Sequence, residues 1–470
     1  MAQAPGSNEY GDAIEYLYRR INYELTPASH PRRKINLENM RLLLAELGNP
    51  QSRIPAIHIA GTKGKGSTAA MVSSILCQAG LRTGLYTSPH LDFLEERYRI
   101  GGIPCTPAQL VALTHAVQPA VAAVERQLAD RPGVRGLTFF EVTTAMAWLH
   151  FMQQQVEVAV IEVGLGGRLD STNLCAPHVT VITSISFDHT QQLGHTLAAI
   201  AREKAGIIKA GVPVISGVTA PEPREVIEAI AWQQGAPLFT LGEQFHAREL
   251  PLPREPERLP QPARLDYAEH TPAGHPQLAE VPVGLIGSHQ IANAAVALAT
   301  AFRLRERGWV ISPEAMRQGL ARVHCDARIE VIGHQPTVIL DTAHNVASIA
   351  ALVHTLQQWF SPTHRLYIFA ASRDKDVPGM LRYLLPAADT VVFTAFQNNP
   401  RAVPPETLLA QARDLVDPSG APGTPLLLAA AIPAAAWQLA RLHARTDGLV
   451  CITGSFFLAA EMRPLATSRG

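Results

Sequence analysis

An excess of charge of either sign is missing from this chain: 40 Lys and Arg stand against 40 Asp and Glu, and charged residues fill only 17% of 470 positions. So sparse and balanced a set makes no field that gathers polyanions, and no basic, aromatic-laced strip stands out, which sets nucleic acid aside as a partner. Cysteine is scarce as well. Cys77, Cys105, Cys175, Cys325 and Cys451 are odd in number, scattered and free of any CxxC pair. That excludes a disulfide framework or a zinc or redox pair and reads as reduced thiols in a cytosol. Long apolar runs are also absent: the longest, residues 426–437, contains Pro433 and is too short to span a bilayer. The opening MAQAPGSNEYGDAIEYLYRR is polar, without the apolar stretch of a signal peptide. The expectation is a cytoplasmic protein that engages neither membrane nor nucleic acid.

What is present is length and alternation. A chain of 470 residues exceeds what one hydrophobic core usually serves, so two domains are expected. Ile35, Leu37, Met40, Leu43, Leu44 and Leu47 form an apolar helical stripe that stops at Gly48, Asn49 and Pro50. A β-rich run at 54–60 then meets a glycine-rich turn and a helical segment at 67–79, closed by Gly80. Further strands are expected at 156–163, 179–185 and 212–215, with helices at 139–154 and 197–207 between them, the rhythm of a mostly parallel α/β sheet. Prolines at 251, 253, 256, 260, 262, 272, 276 and 282 interrupt this rhythm, so residues 243–285 read as an irregular or hairpin excursion. Helical patterns at 291–307 and 313–321 follow. A second alternation runs through 329–332, 338–340, 366–369, 390–393 and 449–452. The division expected is residues 1–325 and 326–470, with the boundary near 322–328.

The chemistry gathers where strands end. His58-Ile-Ala-Gly61-Thr62-Lys63-Gly64-Lys65-Gly66-Ser67-Thr68 lies between a strand and a helix. Glycines there let backbone N–H groups approach phosphate oxygens, the helix N-terminus adds positive potential, Lys65 supplies a charge, and Ser67 or Thr68 can serve a metal–phosphate assembly. The general Walker pattern is matched imperfectly, because Ile59 stands where its first glycine belongs, and a variant loop is implied. Glu162 ends an apolar strand and precedes Gly164, Gly166 and Gly167, so its carboxylate is offered at the carboxyl edge of the sheet and suits a metal. His189, after Asp188, is either a second ligand or a structural histidine. Arg202-Glu203-Lys204 by itself reads as a solvated helix face. Asp341-Thr342-Ala343-His344-Asn345 and Asp374-Lys375-Asp376 follow later strands and suit either turn chemistry or ligand contact.

Taken in order, these segments resemble the folylpolyglutamate synthase/dihydrofolate synthase family of the Mur-ligase superfamily over nearly the whole chain. The matching segments are HIAGTKGKGST from His58, Thr87-Ser88-Pro89-His90-Leu91, Glu162 to Asp170, Asp188-His189 with Leu193-Gly194, and Glu203 to Ile207. Gly287-Ser288-His289-Gln290 with Asn293, Ala327-Arg328, Asp341 to Asn345, Asp374 to Asp376, Asn399-Pro400-Arg401-Ala402 and Thr453-Gly454-Ser455 continue the series. The resemblance implies an N-terminal P-loop ATPase-like domain with a mostly parallel sheet and a smaller Rossmann-like α/β domain. It implies an ATP- and magnesium-dependent amide ligase, monomeric, that adds L-glutamate to dihydropteroate or to folates through an acyl phosphate. By the same resemblance Ser88, Glu162 and His189 match magnesium ligands, and Lys204 a lysine carboxylated by CO2. Asn293, Arg328 and Asp341 match ATP contacts alongside the Gly61–Thr68 turn, Thr138-Phe139-Phe140 a segment lining the pterin pocket, and His344 a residue facing the acyl and amino-acid site. A related ligase for another carboxylate, or a nucleotide-binding homologue without catalysis, are the alternatives. The chain departs from the family pattern at Lys63 (usually Asn), at Thr342 (usually Gly) and at Cys325-Asp326-Ala327.

Overall fold

In the computed structural model, which describes residues 7–24, 36–129, 135–251, 263–270, 274–416 and 423–467, the apolar run Ala56–Ala60 is a strand buried at every position. It is central to a sheet of eight strands among the described residues. Thr83–Tyr86, Val158–Glu162, Ala56–Ala60, Pro177–Ile182, Val214–Ser216 and Leu238–Thr240 lie side by side and parallel. Tyr98–Ile100 and Ile103–Pro104 extend the Thr83–Tyr86 edge in antiparallel fashion, a feature the alternation pattern did not disclose. The helix Phe139–Gln153 is apolar nearly all round because it is enclosed: Phe139, Val142, Met146, Trp148 and Phe151 share one core with Tyr86, Tyr98, Leu110 and Val117. Helix Lys65–Gln78 begins two residues earlier than expected, since Gly64 turns the chain in a left-handed conformation (φ 80°) and puts Lys65 and Gly66 in the first turn.

The proline-rich stretch contains a small three-stranded sheet, Gln277–Val283, Ala263–Glu269 and Phe245–Glu249 in that order, so the hairpin alternative holds there. Ala263–Glu269 alternates buried and half-buried positions, but its inward positions end in a carboxylate, Glu269, which hides the pattern. Pro253, Pro256, Pro260, Pro262 and Pro272, like Ile35 of the first helical stripe, lie outside the described residues.

Two compact units result: Met1–Leu250 with Arg264–Gly284 and Gln290–Val323, and Pro251–Ala263 with Leu285–His289 and His324–Gly470. The second unit holds a six-stranded sheet in the order Glu330–His334, Thr337–Leu340, Leu449–Thr453, Arg365–Phe369, Thr390–Phe393, Leu426–Ala429. All but the antiparallel first pair run parallel, as helical crossovers require. No described helix is long and apolar enough to cross a membrane.

Candidate active site

In the first unit, the parallel strands Ala56–Ala60, Val158–Glu162 and Pro177–Ile182 deliver Gly61, Glu162 and Thr183 to one edge of the sheet. The Gly61–Gly64 turn is then tied down by the third strand's extension. Thr62 N donates to Ser184 O at 2.7 Å, Lys63 N to Ser184 Oγ at 3.0 Å, and Thr183 Oγ1 to Lys63 O at 2.7 Å. These bonds spend the chain's own polar groups on the outside of the turn and leave the first-turn N–H groups of helix Lys65–Gln78 without helical acceptors, which is the local requirement for anion binding. Ser67 and Thr68 are both buried, and the Thr68 hydroxyl has no hydrogen-bond partner. Asn293, on helix Ser288–Glu306, backs the turn with its amide oxygen against Gly64 while its Nδ2 donates to Gln290 Oε1 at 2.9 Å.

Glu162 is buried beside that first turn. A β-carbon on Gly66 would lie 3.5 Å from Glu162 Oε2, and the same oxygen accepts from Ser88 N at 3.3 Å. Glu162, Ser88 and the phosphate-loop helix are therefore brought together. His189 is half exposed, at φ 49°, beside Asp188 on the Lys63 side of the turn, where Lys63 Nζ pairs with Asp188 Oδ2 at 3.0 Å. The ammonium at the position of the family's Asn is thus partnered by a carboxylate of the same turn region. Of the three expected metal ligands, the structure sets Glu162 and Ser88 against each other beside the anion-binding turn, a carboxylate and a hydroxyl-bearing residue that suit a hard divalent cation, and it places His189 with Asp188 and Lys63.

Lys204 does not lie on a solvated face. Its side chain is buried and its Nζ donates to Gly61 O at 2.8 Å, 143 residues away in sequence. Burial lowers its pKa to about 7, helped by the cations of Lys65 and Lys63 and opposed by Asp188. The Gly164–Asp170 loop holds this helix in place: Arg168 N donates to Glu203 O at 2.8 Å, and the Arg168 guanidinium pairs with the Glu203 carboxylate. Asp170, fully buried, accepts from Leu165 N and Thr172 N, so it shapes the loop. Burial raises its pKa, and those hydrogen bonds oppose the rise.

Thr138 caps helix Phe139–Gln153 in a reciprocal pair with Glu141, and Phe139 is wholly buried, stacked on Tyr18 with ring centroids 5.0 Å apart. Phe140 is partly exposed, its ring tip 2.5 Å from where a Gly164 β-carbon would be. Arg97, which the sequence reading did not single out, sits beneath this segment with its guanidinium 5.2 Å from the Phe139 ring centre.

In the second unit, Arg328 and His344 flank Phe456, the Arg328 guanidinium 5.5 Å and the His344 ring 5.7 Å from its ring. Asp341 is buried and accepts from Ala343 N and Ile329 N; burial raises its pKa, and Arg328 opposes this. Thr342 keeps a negative φ and donates its hydroxyl to Ala327 O at 3.3 Å, while Ala327 and Ile329 take left-handed conformations near φ 50°. Asp376 is occupied as the N-cap of helix Val377–Leu384.

The Mur ligase middle domain matches residues 59–301 and the Mur ligase glutamate ligase domain residues 327–456. A Bacillus subtilis (strain 168) dihydrofolate synthase/folylpolyglutamate synthase is 35% identical over 412 residues, spanning 87% of this chain and 89% of the relative. A Mycobacterium tuberculosis folylpolyglutamate synthase complexed with ADP superposes with a TM-score of 0.84 at 32% identity, over 98% of this chain and 99% of the other. Escherichia coli FolC in complex with DHPP and ADP does so with a TM-score of 0.80 at 30% identity, over 98% and 99%. With the phosphate loop, Glu162 and the two α/β units already in hand, these likenesses settle the lineage: the chain belongs to the folylpolyglutamate synthase/dihydrofolate synthase family of ATP-dependent, carbon–nitrogen bond-forming Mur-type ligases.

Proposed function

We propose that this ligase joins the amino group of L-glutamate to a carboxylate of dihydropteroate, of a folate, or of both, as a cytoplasmic monomer acting on small molecules. Residues 1–325 serve ATP, and residues 326–470, with His344 facing the reacting groups, serve as the ligase domain. The observation that carries this reading is the Glu162 carboxylate set against Gly66 in the first turn of the phosphate-loop helix, a negative group beside an anion site. That pairing is unfavourable unless a cation comes between them.

A carboxylate is a poor electrophile. Transfer of the ATP γ-phosphoryl group to its oxygen gives an acyl phosphate and ADP. The glutamate nitrogen then attacks the acyl carbon, loses a proton, and phosphate leaves with the C–O bond electrons. Lys65 and the helix N-terminus offset charge on the transferring phosphoryl oxygens. Glu162, Ser88 and His189 would hold Mg2+, which supplies the remaining positive charge when bound.

Lys204 has the chemistry for carboxylation: a largely desolvated amine with a pKa brought near 7 is neutral often enough to add to CO2, losing one proton. The resulting carbamate keeps one N–H for the Gly61 carbonyl and adds an oxygen ligand to the site. The deciding assay is ADP release with dihydropteroate against reduced folate, each with and without glutamate. Glutamate-dependent release with either acceptor is expected, and none with both would overturn the proposal.

A further inference from the structure

We propose that Arg97 is a positioning residue that sets Ser88 against Glu162 by acting through His90. The proposal rests on the magnesium reading above for the role of Ser88.

Arg97 ends the short helix Leu94–Arg97 and is wholly buried. Its two terminal nitrogens grip both oxygens of Glu24, at 2.9 and 2.6 Å, and its Nε donates to His90 Nδ1 at 2.8 Å. Arginine can only donate, so Nδ1 must be the acceptor and His90 carries its proton on Nε2, directed at Tyr18 Oη 3.2 Å away. The tautomer and the ring plane of His90 are both set by this contact. Glu96, the preceding residue, takes the other half of the loop. Its carboxylate accepts the backbone N–H groups of Leu91, Asp92 and Phe93, each at 2.8 Å.

Adjacent residues of opposite charge therefore clasp the whole segment from His90 to Phe93. Ser88 lies two residues before it, with its N–H on Glu162 Oε2. The clasp also reaches the expected acceptor segment, because the Arg97 guanidinium lies under Phe139 and Phe139 stacks on Tyr18. With the Arg97 guanidinium buried and Glu24 still 31% exposed, this pair adds little net stability, whereas the fixed donor directions of the guanidinium specify geometry. Lysine in its place would keep the charge and lose the fork together with the Nε bond.

The test is calorimetric titration of Mg2+ into the full-length protein's ADP complex, alongside ADP binding without metal and a thermal melt. Arg97→Lys and His90→Leu should weaken Mg2+ binding by about 10- to 100-fold, the usual effect of removing a support behind a metal ligand. ADP affinity without metal should stay unchanged. His90→Asn, whose amide oxygen can accept from Arg97 Nε in place of Nδ1, should remain close to wild type. Wild-type Mg2+ affinity in both Arg97→Lys and His90→Leu, with only a lower melting temperature, would show a merely structural role and overturn the proposal. If Arg97→Lys fails to fold, the contrast between His90→Asn and His90→Leu decides alone. No pterin or glutamate enters this titration, so an error in the acceptor assignment leaves its outcome readable.

Discussion

Gly64 faces Asn293 so closely that a β-carbon on the glycine would run into the asparagine's amide oxygen, and Gly64 itself sits at φ 80°. The phosphate turn is thus shaped from behind by a helix more than two hundred residues further along the chain.

Gly64→Ala meets both obstacles at once, a left-handed backbone that costs an L-residue about 1–2 kcal/mol and the Asn293 side chain. ADP affinity measured by calorimetry should fall by about tenfold or more. Wild-type affinity would mean that the turn does not hold the nucleotide in this shape.

Lys65 begins helix Lys65–Gln78 and Glu162 lies beside Gly66 in its first turn, the place where the proposed phosphoryl transfer develops charge. Lys65→Ala and Glu162→Ala should each reduce glutamate-dependent ADP formation by about 100-fold or more with an unchanged circular dichroism spectrum. Full activity in either variant contradicts the assignment.

If the proposed carbamate forms, Lys204→Ala should lose turnover and regain part of it when formate or acetate is added, since a short carboxylate would stand in for the carbamate oxygens. Removal of CO2 should slow the wild type. The buried amine also makes stability depend on pH: its folded pKa of about 7 lies below the unfolded value near 10.4, so the unfolded chain holds more protons between them. Stability from this group therefore rises as pH increases through that window and should not do so in Lys204→Ala, which urea titrations at pH 7 and 9 will measure.

Lys63 and Asp188 form a partly exposed pair, with 27% and 9% of their side chains accessible. A double-mutant cycle with alanine should give a coupling of about 1 kcal/mol or less, weakening with salt. Lys63→Asn, restoring the family's residue, should keep turnover within about tenfold of wild type, an effect below 1.4 kcal/mol. A larger loss would mean that the ammonium acts on the nucleotide itself.

Arg303 and Glu269 are paired at 2.5 Å in the interior, with Tyr267 donating to the same carboxylate. Arg303→Met leaves that carboxylate without its cation and should cost about 3–5 kcal/mol, read as a lower urea midpoint. Because this pair ties the three-stranded sheet to helix Ser288–Glu306, nucleotide binding at Asn293 on the same helix offers a second readout.

The residues that were legible in the amino-acid string are those whose surroundings are made by near neighbours. The turn at Gly61–Gly64 is one, since glycine spacing, a buried strand before it and a helix after it lie within about twenty residues. Glu162 is another, its place at a strand's carboxyl end following from the apolar run that precedes it. Lys204 was not legible from its charge run, because its burial depends on Gly61 O, 143 positions away. Nor was Arg97, whose partner Glu24 is 73 positions off, or the strand ending in Glu269, where an inward carboxylate defies apolar alternation because Arg303 neutralises it.

Local chemistry decided the α/β class, the phosphate turn and the family, since strand and helix periods, glycine positions and motif order are properties of contiguous residues. Packing across the sheet decided which charged groups leave water and what they then touch. A lysine beside the phosphate turn, an arginine clasping the Ser88 loop and an asparagine against Gly64 acquire their environments only when distant segments meet, because desolvation and hydrogen-bond direction are set by three-dimensional neighbours.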